Sequence, residues 1–465
     1  MSRLPWAVLC TVVVSGLFSG CAPIHPDAGF SDVQAAIRHR SGFQAYWEQQ
    51  PGEEGAVEER IEALLAEELS DSGAVEIALL NNRRLQATFE ELGIARADLL
   101  ESRLIRNPTL GFEIRFPDRP FELSIMQSIM DLFTLGRRKE VAAASFEAAK
   151  HRVADEVLRA ILEVRSAFYT LQATEQTHAM RESIVDAARA GAELAIRQHE
   201  AANISDLDLE NEQATLAQAR LELAESEGDV LAQRESLTRL MGLWGAQTDW
   251  KLAPNLPELP PAESPLTGLE SLAVSQRLDL AAARQEVEAA AKAVGLARPE
   301  AIGEIIAGVH REREPDGATT TGPAIDVPIP LFNRGKARRI RAESMLRQAV
   351  DRYAALAVEI RAEVRGARNR VALARSRTEY YRDVLLPRRE RIVGFSQQHY
   401  NFMLIDAFHL LLARQNEIAA RSESIESLRD YWVARSELER AVGGTLPPVP
   451  QAQETRIPEV HGGGH

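Results

Sequence analysis

The chain has 465 residues, 68 acidic against 54 basic, and a formal net charge of −14 at pH 7. That balance argues against nucleic acid as a partner, because nucleic acid needs a basic footprint. There are only two cysteines, Cys10 and Cys21, and the first falls in an apparent leader, so a disulfide framework is excluded.

Residues 1–20 read as an export signal. Arg3 gives the positive end, and residues 4–17 form an apolar stretch too short to span a bilayer. The stretch ends in Leu17-Phe18-Ser19-Gly20-Cys21. Small residues just before a cysteine look like the bacterial lipoprotein signal, although Phe18 stands where Leu is usual. Cys21 is therefore expected to become an acylated first residue, which also removes a lone thiol from an oxidising compartment. Loss of Arg3 takes the mature charge from −14 to about −15. No later run approaches 18 apolar residues, so any membrane crossing must be made with strands.

Residues 21–73 are acidic and polar, and predict an extended, lipid-anchored arm with short helices. A helix is predicted over residues 73–106, with Ala78, Leu85, Phe89, Leu92 and Leu99 on its apolar face and Asn107-Pro108 as its stop. The period then changes to two. In residues 109–116, Leu110, Phe112, Ile114 and Phe116 share one face, with Gly111, Glu113 and Arg115 opposite. Residues 117–120 turn the chain, and in 121–125 Phe121, Leu123 and Ile125 alternate with Glu122 and Ser124. Such a hairpin suits either a half-buried soluble sheet or a barrel wall with lipid on one side and water on the other.

A helix of unusual length is predicted over residues 138–200, which hold no proline and one glycine, Gly191. At 1.5 Å per residue it would run roughly 95 Å. Val157, Ala160, Val164, Ala167 and Leu171 give it a seam of period 3.5, the pattern of coiled-coil packing. A turn at Asn203-Ile204-Ser205-Asp206-Leu207-Asp208 leads to a return helix ending at Gly242, and a proline-rich linker occupies residues 251–265.

The whole plan then repeats. Leu132-Phe133 and Gly136-Arg137 recur 199 residues on as Leu331-Phe332 and Gly335-Lys336. Gln198-His199 recurs as Gln398-His399, Asp206 as Asp406, and Met241-Gly242 as Val442-Gly443. The second hairpin is weaker: residues 302–311, a loop through Gly322, then 324–328 with Ile325, Val327 and Ile329 in phase. Its long helix has no proline over residues 335–385, and its seam steps through Val350, Tyr353, Ala357, Ile360, Val364, Ala367, Val371 and Ala374. The organisation is thus an arm to residue 73, a first repeat over 74–250, a linker over 251–265, a second repeat over 266–446, and a disordered tail over 447–465.

These landmarks resemble the TolC-type outer-membrane efflux ducts, the outer membrane factors. The resemblance rests on Asn107-Pro108, residues 132–138, Arg277-Leu278-Asp279-Leu280-Ala281-Ala282-Ala283, Ala297-Arg298-Pro299, Pro328-Ile329-Pro330-Leu331-Phe332-Asn333-Arg334-Gly335 and Leu438-Glu439-Arg440-Ala441-Val442-Gly443, in that order. It implies a mainly α chain with a small β portion. Three copies would join a twelve-stranded β-barrel to an α-helical tunnel and stand in the bacterial outer membrane. Four strands cannot close a barrel alone, and an even total suits two chains as well as three; the resemblance selects a homotrimer. It further implies a passive exit for an inner-membrane pump of the resistance-nodulation-division type, reached through a periplasmic adaptor. Ala202 and Asp406 stand where the family commonly has a tip glycine.

Nothing reads as enzymatic: there is no G-x-S-x-G, no P-loop and no H-E-x-x-H. The expected cofactor list is empty apart from the lipid on Cys21, and no metal site is expected. His461 and His465 in the tail are weak ligands, and Met403 is expected to pack rather than bind metal. Trp244 and Trp250 are expected to pack against the arm and linker. Asp206, Asp208 and Asp406 are the candidate periplasmic gate, where threefold repetition would stack acidic rings; their plain alternative is helix capping. The rival for the whole chain is a lipid-anchored periplasmic coiled-coil scaffold with no channel.

Overall fold

The computed structural model describes residues 29–48, 54–114, 116, 120–263, 266–297, 303–314 and 316–447. Residues 1–20, Cys21, His461 and His465 lie outside them. The first copy comprises α3 (Asp71–Asn81), α4 (Arg83–Ser102), β2 (Thr109–Ile114), β3 (Phe121–Ser128), α5 (Met130–Glu200) and α6 (Asp206–Met241). It is preceded by α1 (Phe30–Ser41), α2 (Glu54–Ala66) and the two-residue β1 (Glu68–Leu69), and followed by β4 (Lys251–Leu252). The second copy comprises α7 (Leu269–Gln276), α8 (Leu278–Ala297), β5 (Ile306–Arg313), β6 (Thr319–Asp326), α9 (Lys336–Tyr380), α10 (Leu386–Asn401) and α11 (Ala407–Val442). A π-helical turn over Tyr381–Leu385 carries α9 into α10 without a break, past Pro387 in the first turn of α10. Pro lacks the backbone N–H that an α-helical interior needs, so a widened turn just before it keeps the rod continuous.

The predicted helix over 73–106 is in fact two. Asn82 is extended, at ψ 108°, and its side chain accepts from the Arg84 N–H to start α4. The break has a cause in packing. The Asn82 and Asn81 amides donate to the carbonyls of Leu240 and Gly242, both at 2.7 Å, at the end of return helix α6. The second copy does the same with different chemistry. Arg277, at ψ 128°, separates α7 from α8 and lies against Gly443; its guanidinium holds Asp279, Glu363 and the Ala441 carbonyl. Gly242 (φ 73°) and Gly443 (φ 90°) close the return helices in the left-handed region. A Cβ on Gly242 would lie 2.8 Å from the Asn81 carbonyl oxygen, and one on Gly443 3.0 Å from the Arg277 Cγ. The duplicated glycines therefore mark where each return helix docks on a broken helix.

Helix α5 is the central post and packs against α1, α3, α4, α6, α8 and α11, whereas α9 touches α7, α8 and α11. The seam behaves accordingly: Val157, Val164 and Leu171 are buried, as are Ile360, Val364, Ala367 and Val371, while Val350 is exposed. Helix α5 also begins earlier than expected, at Met130, so Leu132-Phe133 and Gly136 are helical. Their counterparts are not, because Pro328 and Pro330 forbid a helix there and the Asn333 side chain accepts from the Gly335 N–H. Gly335 (φ 73°) then turns the chain into α9.

The expected extended arm folds onto this shaft. Val33, Ile37 and Ile61 are buried, and β1 pairs in parallel with β4, Leu69 opposite Leu252. The linker is strapped down as well. Gln172 donates to the Ala253 carbonyl, Trp432 to that of Pro257, and Arg375 to that of Pro260. Glu263 accepts from Tyr431 and Arg435, and Arg435 pairs with Glu439, which accepts from Arg165 of the first copy. Burial pushes the Tyr431 and Tyr169 phenols up to about 12, so both remain proton donors in this network. Trp250 packs as expected, under the Arg234 guanidinium at 4.0 Å, but Trp244 does not: it is 78% exposed.

Gly242→Ala is expected to lower the melting temperature clearly more than Gly42→Ala. Both substitutions place a side chain in the left-handed region, at about 1–2 kcal/mol. Only at Gly242 is there also a backbone atom in the way; Gly42 (φ 79°) has open space. Equal losses in thermal melts of the two variants would contradict the docking account.

Candidate functional site

Two regions are built to meet something outside the chain: the sheet and the helix tips. The four strands form one antiparallel sheet in the order β2-β3-β5-β6. The second hairpin departs from expectation. Its loop is short, because Gly322 and Pro323, read as loop from sequence, lie within β6 opposite His310 and Val309. Pro323 is tolerated because β6 is an edge strand.

Register fixes the faces. Leu110, Ile125, Val309 and Pro323 stand in one row, and Phe112 faces Leu123 in the next. The described residues do not cover this face: Leu110 is 67%, Phe112 65% and Ile325 66% exposed. Arg311 and Arg313 join the same face only toward the loop end, where long side chains can reach a rim. On the opposite face Glu113, Glu122 and Glu312 form one cross-strand row, with Ser124 and His310 in the next. Like charges directly opposite destabilise a sheet, so this row belongs against water rather than a packed core. The soluble-core alternative for the hairpins therefore finds no support on the apolar side, where none of the described elements packs.

Helices α5 and α10 reach the tips and end alike. Asn203 N–H donates to the Gln198 carbonyl and Leu404 N–H to that of His399, both at 2.8 Å, closing Schellman turns. The left-handed residues in them are Ala202 (φ 57°) and Met403 (φ 60°). The first is where a glycine was missed from sequence; the second is Met403 and not Asp406. Met403 is 93% exposed, so it does not pack as expected. The turns correspond at an offset of 201, which pairs Asp406 with Ser205 rather than Asp206. The seam keeps an offset of 200, and a π turn holds one residue more than an α turn, which accounts for the difference.

All three candidate aspartates stand at these tips, and two are caps. Ser205 and Asp208 make a capping box, with the Ser205 hydroxyl donating to Asp208 at 2.7 Å. Hydrogen bonds from Ser205, side chain first and backbone second, hold the Asp208 carboxyl below its ordinary range. Asp406 caps α11, accepting from the His409 N–H at 2.9 Å, with the ring Nδ1 2.7 Å away. Burial raises the Asp406 carboxyl, but the bonds from His409 outweigh it and bring it below its ordinary range. Asp206 is almost fully exposed and lies 2.7 Å from His199 Nε2. Around the second tip Phe402 and Leu404 are also exposed, so that tip is apolar as well as acidic, a mixture sequence reasoning did not anticipate. Among the described residues, no cluster of His, Cys, Asp and Glu could hold a metal ion, and no helix is long and apolar enough to cross a membrane.

The family model for outer membrane efflux proteins matches residues 74–243 and 269–444, which are the two structural copies. The chain belongs to the outer membrane efflux protein family. This efflux protein is 23% identical over 391 residues to the cobalt-zinc-cadmium resistance protein CzcC of Cupriavidus metallidurans, covering 81% of this chain and 90% of that one. Its fold matches a crystal structure of a membrane protein from Pseudomonas aeruginosa, with a TM-score of 0.69 and 19% identity, over 80% of this chain and 93% of the other. It also matches the Campylobacter jejuni CmeC outer membrane channel, with a TM-score of 0.68 and 15% identity, over 87% and 90%. Export through the outer membrane is the work of this chain.

The cap geometry sets a pH dependence at the tips. A carboxyl held below its unfolded value stabilises the fold above that value, and the stabilisation is lost as pH falls through the depressed one. A nitroxide at position 210 is expected to be immobile at pH 7 and mobile only well below the ordinary Asp value of about 3.9. Ser205→Ala is expected to bring that mobility to pH 7. Spectra that stay the same at both pH values and in both chains would contradict the capping account.

Proposed function

We propose that three copies of this chain close a twelve-stranded barrel and continue into an α-helical tunnel. The observation that carries this is the sheet: one face is apolar and uncovered, and β2 and β6 have open edges. Three sheets joined edge to edge satisfy every strand and turn the apolar faces to lipid. Exposed Ile340, Met345, Val358 and Leu373 along α9 support contact with a neighbouring copy in the tunnel wall. Acylated Cys21 adds an anchor in the same membrane.

The duct is the passive exit of a tripartite efflux system. An inner-membrane pump of the resistance-nodulation-division type supplies the energy, and a periplasmic adaptor joins it to the helix tips. Cargo needs a wide wet path and no tight site. The glutamate row makes that path easier for cations than for anions, which is compatible with the metals in the name of CzcC. A periplasmic scaffold would leave the apolar sheet face against water and explains none of this.

Asp206, Asp208 and Asp406 form the acidic mouth, with Asp206 and Asp406 setting its selectivity and Asp208 mainly holding its shape. Asn caps a helix about as well as Asp, so Asp206→Asn with Asp406→Asn removes charge and keeps the turns. In planar bilayers that variant is expected to show lower cation-over-anion permeability and more time open than the unaltered chain. If both quantities stay unchanged, Asp406 is a cap and Asp206 a partner of His199, and neither sets selectivity.

A further inference from the structure

Beyond the end of β6 the apolar stripe does not stop. Ile325, Val327, Ile329 and Leu331 continue in period two, all exposed, and Phe332 is completely exposed. Pro328 and Pro330 keep this stretch out of a helix, so it presents a short ribbon and a bend and not a helix face. Residues 327–329 add roughly 10 Å at about 3.3 Å per residue to the outward surface below the sheet, and the chain then bends at Pro330, where the Leu331 N–H donates to the Ile329 carbonyl at 2.8 Å. A turn through Asn333 and Gly335 follows, and then cations: Arg334, Lys336, Arg338, Arg339 and Arg341, all exposed. Arg339 lies 3.5 Å from Glu343. Among the described residues, no carboxylate pairs with Arg334, Lys336 or Arg341. In an acidic chain, unpaired cations at the end of an apolar ribbon need a partner with negative charge.

The first copy provides the contrast. There Leu132 and Phe133 are also exposed, but two of the three cations that follow, Arg137 and Arg138, are used inside the chain. Arg106 and Arg138 hold the buried Asp131, at 2.9 and 3.4 Å, and Arg137 donates to the Gly295 carbonyl. Among the described residues, the second copy leaves three such cations, Arg334, Lys336 and Arg341, without a carboxylate partner, against Lys139 alone in the first.

We infer that residues 327–341 bind anionic glycerophospholipids of the periplasmic leaflet. The ribbon lies along acyl chains, and Arg334, Lys336 and Arg341 bind the phosphate of the headgroup. Apolar chain followed by phosphodiester is the order of a phospholipid, and the charges are complementary. Lipopolysaccharide belongs to the opposite leaflet, at the loop end of the sheet, and does not reach these residues. The inference rests on the membrane placement proposed above.

The test uses the full chain purified in non-ionic detergent and analysed by native mass spectrometry. Phosphatidylglycerol and phosphatidylcholine with identical acyl chains are added in equal amounts. The unaltered chain is expected to retain phosphatidylglycerol about tenfold more than phosphatidylcholine. Arg334→Gln, Lys336→Gln and Arg341→Gln together should bring the two near parity, while Arg388→Gln with Arg391→Gln, far down the shaft, should keep the preference. If the triple variant fails to assemble, Lys336→Gln alone is expected to lose about threefold of the preference, and Arg334→Lys with Arg341→Lys to retain it. Equal retention of both lipids by the unaltered chain, or an unchanged preference in both neutralised variants, overturns the inference. So does displacement of phosphatidylglycerol by millimolar inorganic phosphate, which would make this a small-anion site. A hollow oligomer without lipid preference sinks only this inference; a chain that is soluble and monomeric without detergent sinks the membrane placement itself.

Discussion

An unpaired backbone amide in hydrocarbon costs several kcal/mol, and this chain carries two edges of them on a sheet whose apolar face is bare. Water cannot be the answer for Leu110, Phe112 and Ile325, and lipid cannot be the answer for open edges. Closure with other copies in lipid, as proposed above, would relieve both at once. The rest of the molecule follows from serving that sheet. Each hairpin feeds a long helix, so the proposed closed sheet of three copies would place six rods in a ring below it. Because β3 and β5 pair directly, the two rods of one chain are held in one wall by the sheet above and by the Arg165–Glu439–Arg435–Glu263 network at mid-height.

The two copies share a plan but not a role. Helix α5 is surrounded on most sides by its own chain, while α9 keeps exposed apolar residues for contacts outside it. The same landmark, leucine-phenylalanine followed by glycine, is helical in the first copy and a non-helical bend in the second, because two prolines stand before it there. The tips diverge in the same way: Asn203 and Ser205 on one side, Phe402, Met403 and Leu404 on the other. Duplication supplied the frame, and local substitutions divided the work.

Much of this was legible in the sequence, where a long-range pattern leaves a strong local signature. Alternation in residues 109–125 showed the hairpin and its two faces, and proline-free stretches showed the rods. What stayed hidden depends on partners distant in the chain. Nothing local to Asn82 says that its amide will meet the Leu240 carbonyl, so the helix over 73–106 read as unbroken. Gly322 and Pro323 carry loop chemistry, and only their place on an edge strand makes them part of β6. The π turn absorbs a residue without any Gly or Pro inside it, so the tips were aligned one position out and Asp406 was matched to Asp206. The sequence placed Asp206, Asp208 and Asp406 at the turns but did not give their bonding. The capping box at Ser205 and Asp208 matched a familiar motif, whereas the bond of Asp206 to His199 needed the turn itself.

The central claim is that this sheet closes with two others in a membrane. Electron microscopy of the full chain purified in detergent tests it most directly. A helix of 71 residues gives about 105 Å, and the bilayer core adds about 30 Å. The account predicts a hollow particle with threefold symmetry and a length near the sum of these. A solid rod, a twofold particle, or a compact monomer that stays soluble once detergent is removed would contradict it.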